Sequence, residues 1–241
     1  MRPHTLAILV VGLVPVSGCS SSAPHKHIDD AIGEQDTPTA PRRGDGNVPS
    51  IDAEVGALDP DAVDRAFEAA RSPVKQCFQA ANAELDFQVI GGDLEVEVRV
   101  KNDGSVRWVY PRSSNVGHLG AETCVLDVLR RQAWPKPEGG DEGIARTRFG
   151  LDAPGRAPVA WTPADLGGKG SALEGALRAC QQGSALSVTV YVDADGKVIA
   201  AGGASGDERG IDSIGCAVEA AKRASFPSPG SYPAKVTLSV E

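Results

Sequence analysis

When the chain is slid against itself by 92 residues, LEVEVRVKNDGSVRWVYPRSS (from Leu94) falls on LSVTVYVDADGKVIAAGGASG (from Leu186) without a gap. The register holds from Leu94 to Pro137, and 12 of those 44 positions are identical. They include Val96/Val188, Val98/Val190, Val100/Val192, Asp103/Asp195, Gly104/Gly196, Cys124/Cys216 and Pro135/Pro227. Alternating valines, turn glycines and cysteines repeated at one spacing mark a tandem duplication, so the chain must build one supersecondary unit twice.

Each copy predicts the same elements. A cysteine-bearing helix comes first: Ser72 and Pro73 open SPVKQCFQAANAE, and Ser171 with Glu174 forms a capping box for SALEGALRACQQ, with Gly183 suited to the helix exit. Two alternating strands follow, carrying Val96, Val98 and Val100 on one face, matched by Val188, Val190 and Val192. Second helices are expected over 121–132 and 211–224, and final strands in ARTRFGL and AKVTLSV. The fold class is therefore α+β: two tandem units of order helix, strand, strand, helix, strand, with helices on a small antiparallel sheet. Residues 59–71 predict an extra amphipathic helix ahead of copy one, and 82–93 an insertion that copy two lacks.

DADGKV, Asp193 to Val198, has the spacing of a calcium loop. With Gly196 in the sixth position of such a loop, Tyr191 falls first and Gly202 twelfth, so both end ligands are missing. Copy one puts Lys101 where Asp193 stands, and a shared metal site could not hold that cation. The stretch reads instead as a hairpin tip with a three-residue loop, Ala194-Asp195-Gly196 or Asn102-Asp103-Gly104, that pairs Val192 with Val198 and Val100 with Val106.

The N-terminus supplies an address. Arg2, an apolar run from Leu6 to Val16 and the small residues before Cys19 read as an export signal, residues 1–18, too short to span a membrane. Residues 19–57, rich in Ser, Pro, Thr, Gly and Asp, read as a disordered tether. Residues 58–151 then hold unit one with its extra N-terminal helix, 152–170 a Pro- and Gly-rich linker, and 171–241 unit two. Trp161 in the linker is expected to pack against one of the units. The formal charge of -8, one unit more negative once Arg2 is lost with the signal, leaves no basic footprint for nucleic acid.

Beyond Cys19 four cysteines remain, two per copy. An even number in an exported chain favours disulfides. Of the three connectivities, the duplication favours Cys77–Cys124 and Cys180–Cys216. No histidine recurs with the cysteines, since His118 is replaced by Gly210 in copy two. No metal site and no cofactor is expected.

VSGC, Val16 to Cys19, resembles a bacterial lipobox. That resemblance implies a lipidated Cys19 as the first mature residue, and Ser20 after it implies the outer membrane. The cysteine helix, the alternating valines, the D-G turns, the second cysteine and the closing WPKP or FPSP together resemble the AgmX/PglI C-terminal domain family, which is related to the C-terminal domain of TonB. The likeness covers Ala62 to Leu151 and Ser171 to Glu241. It implies a cell-envelope protein, linked to envelope or gliding-motility machinery, whose Cys77, Cys124, Cys180 and Cys216 take the place of the family's cysteine pair. Two copies behind a lipid anchor depart from the family's single copy on a longer chain, so energy transduction does not carry over.

His118 is the only histidine after residue 57, and no G-x-S-x-G is present. The expected role is a non-enzymatic interaction or scaffold module, bound to the membrane through Cys19, periplasmic or surface-facing, gripping an envelope protein by strand addition. An envelope-acting enzyme with an unrecognised site and a purely structural spacer are the alternatives. No nucleic-acid partner and no small-molecule substrate is expected. Trp108 and Tyr110, which become Ala200 and Gly202 in copy two, are the candidate partner-binding residues if they face outward; otherwise they fill space made by the 82–93 insertion.

Overall fold

A computed structural model describes residues 55–241; the expected signal peptide, Cys19 and the tether up to residue 54 lie outside them. Copy one contains α1 (Pro60–Ala83), β1 (Gly92–Lys101), β2 (Val106–Ser114), α2 (Leu119–Arg130) and β3 (Glu142–Leu151). Copy two contains β4 (Val159–Ala160), a 3-10 turn (Pro163–Leu166), α3 (Gly168–Cys180), β5 (Leu186–Val192), β6 (Val198–Ser205), α4 (Ile211–Lys222) and β7 (Ala234–Val240). The strands form a three-stranded sheet, β2-β1-β3, and a four-stranded sheet, β4-β7-β5-β6. All neighbours are antiparallel except β4, which runs parallel to β7. The α+β class and the element order within each copy are thus as expected.

The alternating valines set the strand faces. Leu94, Val96, Val98 and Val100 are fully buried, as are Val188, Val190 and Val192. At both hairpin tips Val100 faces Val106 and Val192 faces Val198. Lys101 N–H donates to Ser105 O and Gly104 N–H to Lys101 O; Asp193 N–H donates to Lys197 O and Gly196 N–H to Asp193 O. Gly104 at φ 86° and Gly196 at φ 78° take the left-handed conformation this loop requires. The Asp193 carboxylate is spent on the turn itself, accepting from the N–H groups of Asp195 and Lys197 at 2.9 Å.

The first helix differs from expectation. Pro73 does not open a helix, because α1 runs unbroken from Pro60 to Ala83 with Asp59 capping Ala62 N–H. Ala66, Phe67, Ala70, Val74, Cys77, Phe78 and Ala81 continue one buried stripe through the proline, and that burial outweighs the hydrogen bond Pro73 removes. Ser171 likewise sits inside α3, which starts at Gly168.

Nor is residues 152–170 a free linker. Val159 N–H donates to Pro233 O and Trp161 N–H to Lys235 O, both at 2.9 Å, which adds β4 to the edge of β7. Leu166 is fully buried in the second core, with Trp161 packed against it. Copy one has the counterpart: Gly56 N–H donates to Glu142 O at 2.7 Å and Ala57 N–H to Glu138 O at 2.9 Å. Gly56 and Val159 stand 103 residues apart, as do Asp59-Pro60 and Thr162-Pro163, and Cys77 and Cys180. Both copies therefore begin with a short edge segment and a proline-led helix; Gly167-Gly168 breaks that helix in copy two only. The helix expected as extra in copy one belongs to the repeat.

Disulfides join Cys77 to Cys124 and Cys180 to Cys216, each tying the first helix of a copy to the second. Among the described residues no helix is long and apolar enough to cross a membrane.

Candidate functional site

Each sheet lays one face on its helices, so whatever the protein recognises is decided by the other face and the edges. In copy one the outer face is charged. Glu97 accepts from Arg146 Nε at 2.7 Å and Arg112 at 3.3 Å, and Glu142 accepts from Arg99 at 3.1 Å and from Arg107. Burial opposes ionisation of Glu142, but the two arginines win and hold its carboxyl below the usual range. Trp108 lies between Arg99 and Arg107, whose guanidinium carbons stand 5.2 and 4.6 Å from its ring centre.

Trp108 and Tyr110 do lie on this outer face, opposite Arg99 and Glu97 of β1. They do not fill the space of the insertion, whose Val89 and Ile90 are themselves fully buried, held by Asn82 through Ile90. Tyr110 is only 2% exposed, however, and cannot meet a partner directly. Burial, then the Glu97 charge, pushes its hydroxyl up to about 12. Of the two, Trp108 alone keeps partial exposure.

The matching face of copy two carries no carboxylate and no arginine, and copy one covers it. Ala200 and Gly202 occupy the positions of Trp108 and Tyr110. A Cβ on Gly202 would overlap the Glu122 carboxylate and the His118 amide, so the missing side chain is what seats the start of α2 on β6. There Glu122, 1% exposed, accepts from Ser114 Oγ at 2.6 Å and Gly203 N–H at 2.9 Å. Burial pushes its carboxyl up to about 7 despite these bonds. His118 caps α2 by accepting from Ala121 N–H at 3.1 Å, and its Nε2 stands 3.6 Å from Glu84. Burial lowers its basicity and the neighbouring Glu84 raises it, with burial winning. The one histidine among the described residues thus has a structural post.

Three further contacts close the junction. Tyr191 OH donates to Gly91 O at 3.1 Å, Lys235 Nζ donates to the same oxygen at 2.7 Å, and Thr189 Oγ1 donates to Ser114 O at 3.4 Å. Burial lowers the Lys235 ammonium to about 8, against the pull of Asp93 and Glu122. Tyr191 and Ala200, residues of copy two, are part of the core of copy one.

The edges complete the survey. β2 and β6 lie at the junction, and β4 pairs with β7 only at Ala234 and Lys235; the longest outer edge is that of β3. The bond from Gly56 to Glu142 O fixes the parity: even-numbered residues of β3 turn their backbone groups away from β1. Beyond Glu142, among the described residues, the backbone groups of Ile144, Arg146 and Arg148 have no partner on that side. Two cavities, of about 490 and 440 Å³, run along the seam between this edge and α1, sharing Arg71.

The described residues hold no cluster of His, Cys, Asp and Glu that could bind a metal. Sequence reasoning missed Glu122, Gly202 and Lys235. The signal for Gly202 was present, since Gly202-Gly203 inside a strand marks a close approach. Searches of protein-family models, curated proteins and solved structures found no match to this chain.

Proposed function

We propose that this is a lipoprotein of the bacterial cell envelope, anchored through Cys19, whose two joined units of the AgmX/PglI C-terminal, TonB-related type form a non-enzymatic interaction module. It grips an extended segment of an envelope protein, such as a component of motility machinery, by adding that segment as a strand to β3. The observation that carries this reading is the edge of β3 between Ile144 and Arg148, which has no strand partner among the described residues. The two disulfides fit an oxidising compartment.

A photoreactive side chain placed at Thr147 of the full chain, irradiated in intact envelopes, is expected to capture one protein at near-stoichiometric yield. The same probe at Arg178, exposed on α3, should not. Equal adducts from both positions, or none from Thr147, would sink strand addition. Labelling with radioactive palmitate should vanish in Cys19→Ala; label retained there would overturn the anchor.

A further inference from the structure

The free edge of β3 carries a charge pattern as well as unpaired backbone groups. Resting on the strand-addition reading, we infer that the segment it accepts is acidic, with carboxylates at alternate residues facing Arg146 and Arg148. Both arginines project from the outer face of the edge strand, 52% and 66% exposed. An added strand brings its directly opposite side chains within about 5 Å of them, close enough for opposite charges to pair. Arg146 and Arg148 already contact Glu97 and Asp93, but from one side, and the guanidinium fork has donors to spare.

The inner side of the same edge is balanced in charge. Apart from the two arginines, the seam cavities set Arg65, Arg71 and Lys75 against Asp64, Glu68 and Asp152, so the charge preference of the edge rests with Arg146 and Arg148. Residues of the partner that point inward meet Val74, Phe67 and the stems of Arg71 and Lys75, a lining that takes small apolar side chains.

The pattern also rules on a second copy of this chain as the occupant. Antiparallel pairing of β3 with itself about Thr147 sets Arg146 of one copy opposite Arg148 of the other, and like charges directly opposite are destabilising. The arginines thus guard the edge against self-association while selecting an acidic strand.

The test uses the full chain and two synthetic probes, Thr-Glu-Val-Glu-Val-Glu-Thr and Thr-Lys-Val-Lys-Val-Lys-Thr, with affinity read by fluorescence anisotropy and the site by amide exchange. The glutamate peptide is expected to bind about tenfold more tightly. It should also slow exchange at the amides of Ile144, Arg146 and Arg148, and weaken as salt rises. Arg148→Glu should reverse the preference. Because Arg148 is exposed, this variant keeps the fold, and near-native unfolding by circular dichroism confirms that. If both peptides protect β3 equally, or the lysine peptide does so better, the acidic partner is refuted while strand addition stands. If neither protects β3, both readings fail.

Discussion

The outer faces of the two sheets began as one face and now differ at nearly every position. Copy one carries Glu95, Glu97, Arg99, Trp108, Tyr110 and Arg112; copy two has Ser187, Thr189, Tyr191, Ala200, Gly202 and Ala204 in their places. All of the second set but Ser187 is buried, and copy one lies on it at Thr189, Tyr191, Ala200 and Gly202. Small side chains let backbone approach backbone, whereas the carboxylates of Glu97 and Glu142 in copy one are met by arginines of the same sheet. Duplication thus gave one face to internal assembly and left the other, with its edge, for contact with something else.

The largest test of this comparison asks whether the copies stand alone. Replacing Cys77 and Cys124 together by alanine, and separately Cys180 and Cys216, opens loops of 47 and 36 residues. Each should cost about 4 kcal/mol, with a difference of only a few tenths from loop length. Denaturant unfolding checks this; a gap above about 2 kcal/mol would show one copy leaning on the other.

Next in size is the pH dependence of the junction. The Glu122 carboxyl lies near 4.5 when unfolded and about 7 when folded, so the native state binds the extra proton. Its contribution is complete below pH 4.5 and is lost as pH rises through 7, a change on the order of 3 kcal/mol. Glu122→Gln should flatten the profile in that window. Position 214, the counterpart in copy two, is isoleucine and has nothing to titrate.

Gly202→Ala should cost about 2 kcal/mol by pushing α2 off β6, since the new methyl meets backbone at His118. The matched change in copy one, Tyr110→Phe, leaves packing intact and should cost less, a contrast read by thermal melting. Smallest is Arg148→Ala, which removes an exposed ion pair and should leave the melting temperature almost unchanged. A larger loss would mean that the charged face is structural.

Element type and hairpin register were legible in the sequence because both are local: alternating valines and Asp-Gly turns act within one strand pair. The pairing of the cysteines was legible through the repeat. What the sequence concealed was set by distant partners. Pro73 reads as a helix start until the stripe on either side of it is seen to face one core. Val159-Ala160-Trp161 reads as linker because its hydrogen bonds lie more than 70 residues ahead, on β7. The sequence left open whether Trp108 and Tyr110 face outward or fill space at the insertion, because their burial is set by residues outside their own strand. The weight of Gly202 becomes visible only when Glu122 is found against it.

The position of Cys77 has a mechanical consequence. A pull on the N-terminal end enters the fold at residues 55–57, where bonds to Glu142 and Glu138 are the first to bear it. Once they part, α1 can peel only as far as Cys77, because tension then passes through sulfur into α2 and bypasses the 47-residue span that holds β1 and β2. The central strand and its hairpin therefore sit outside the line of load, and the bond to Cys124 acts as a stop that limits how far the N-terminal end can be drawn out.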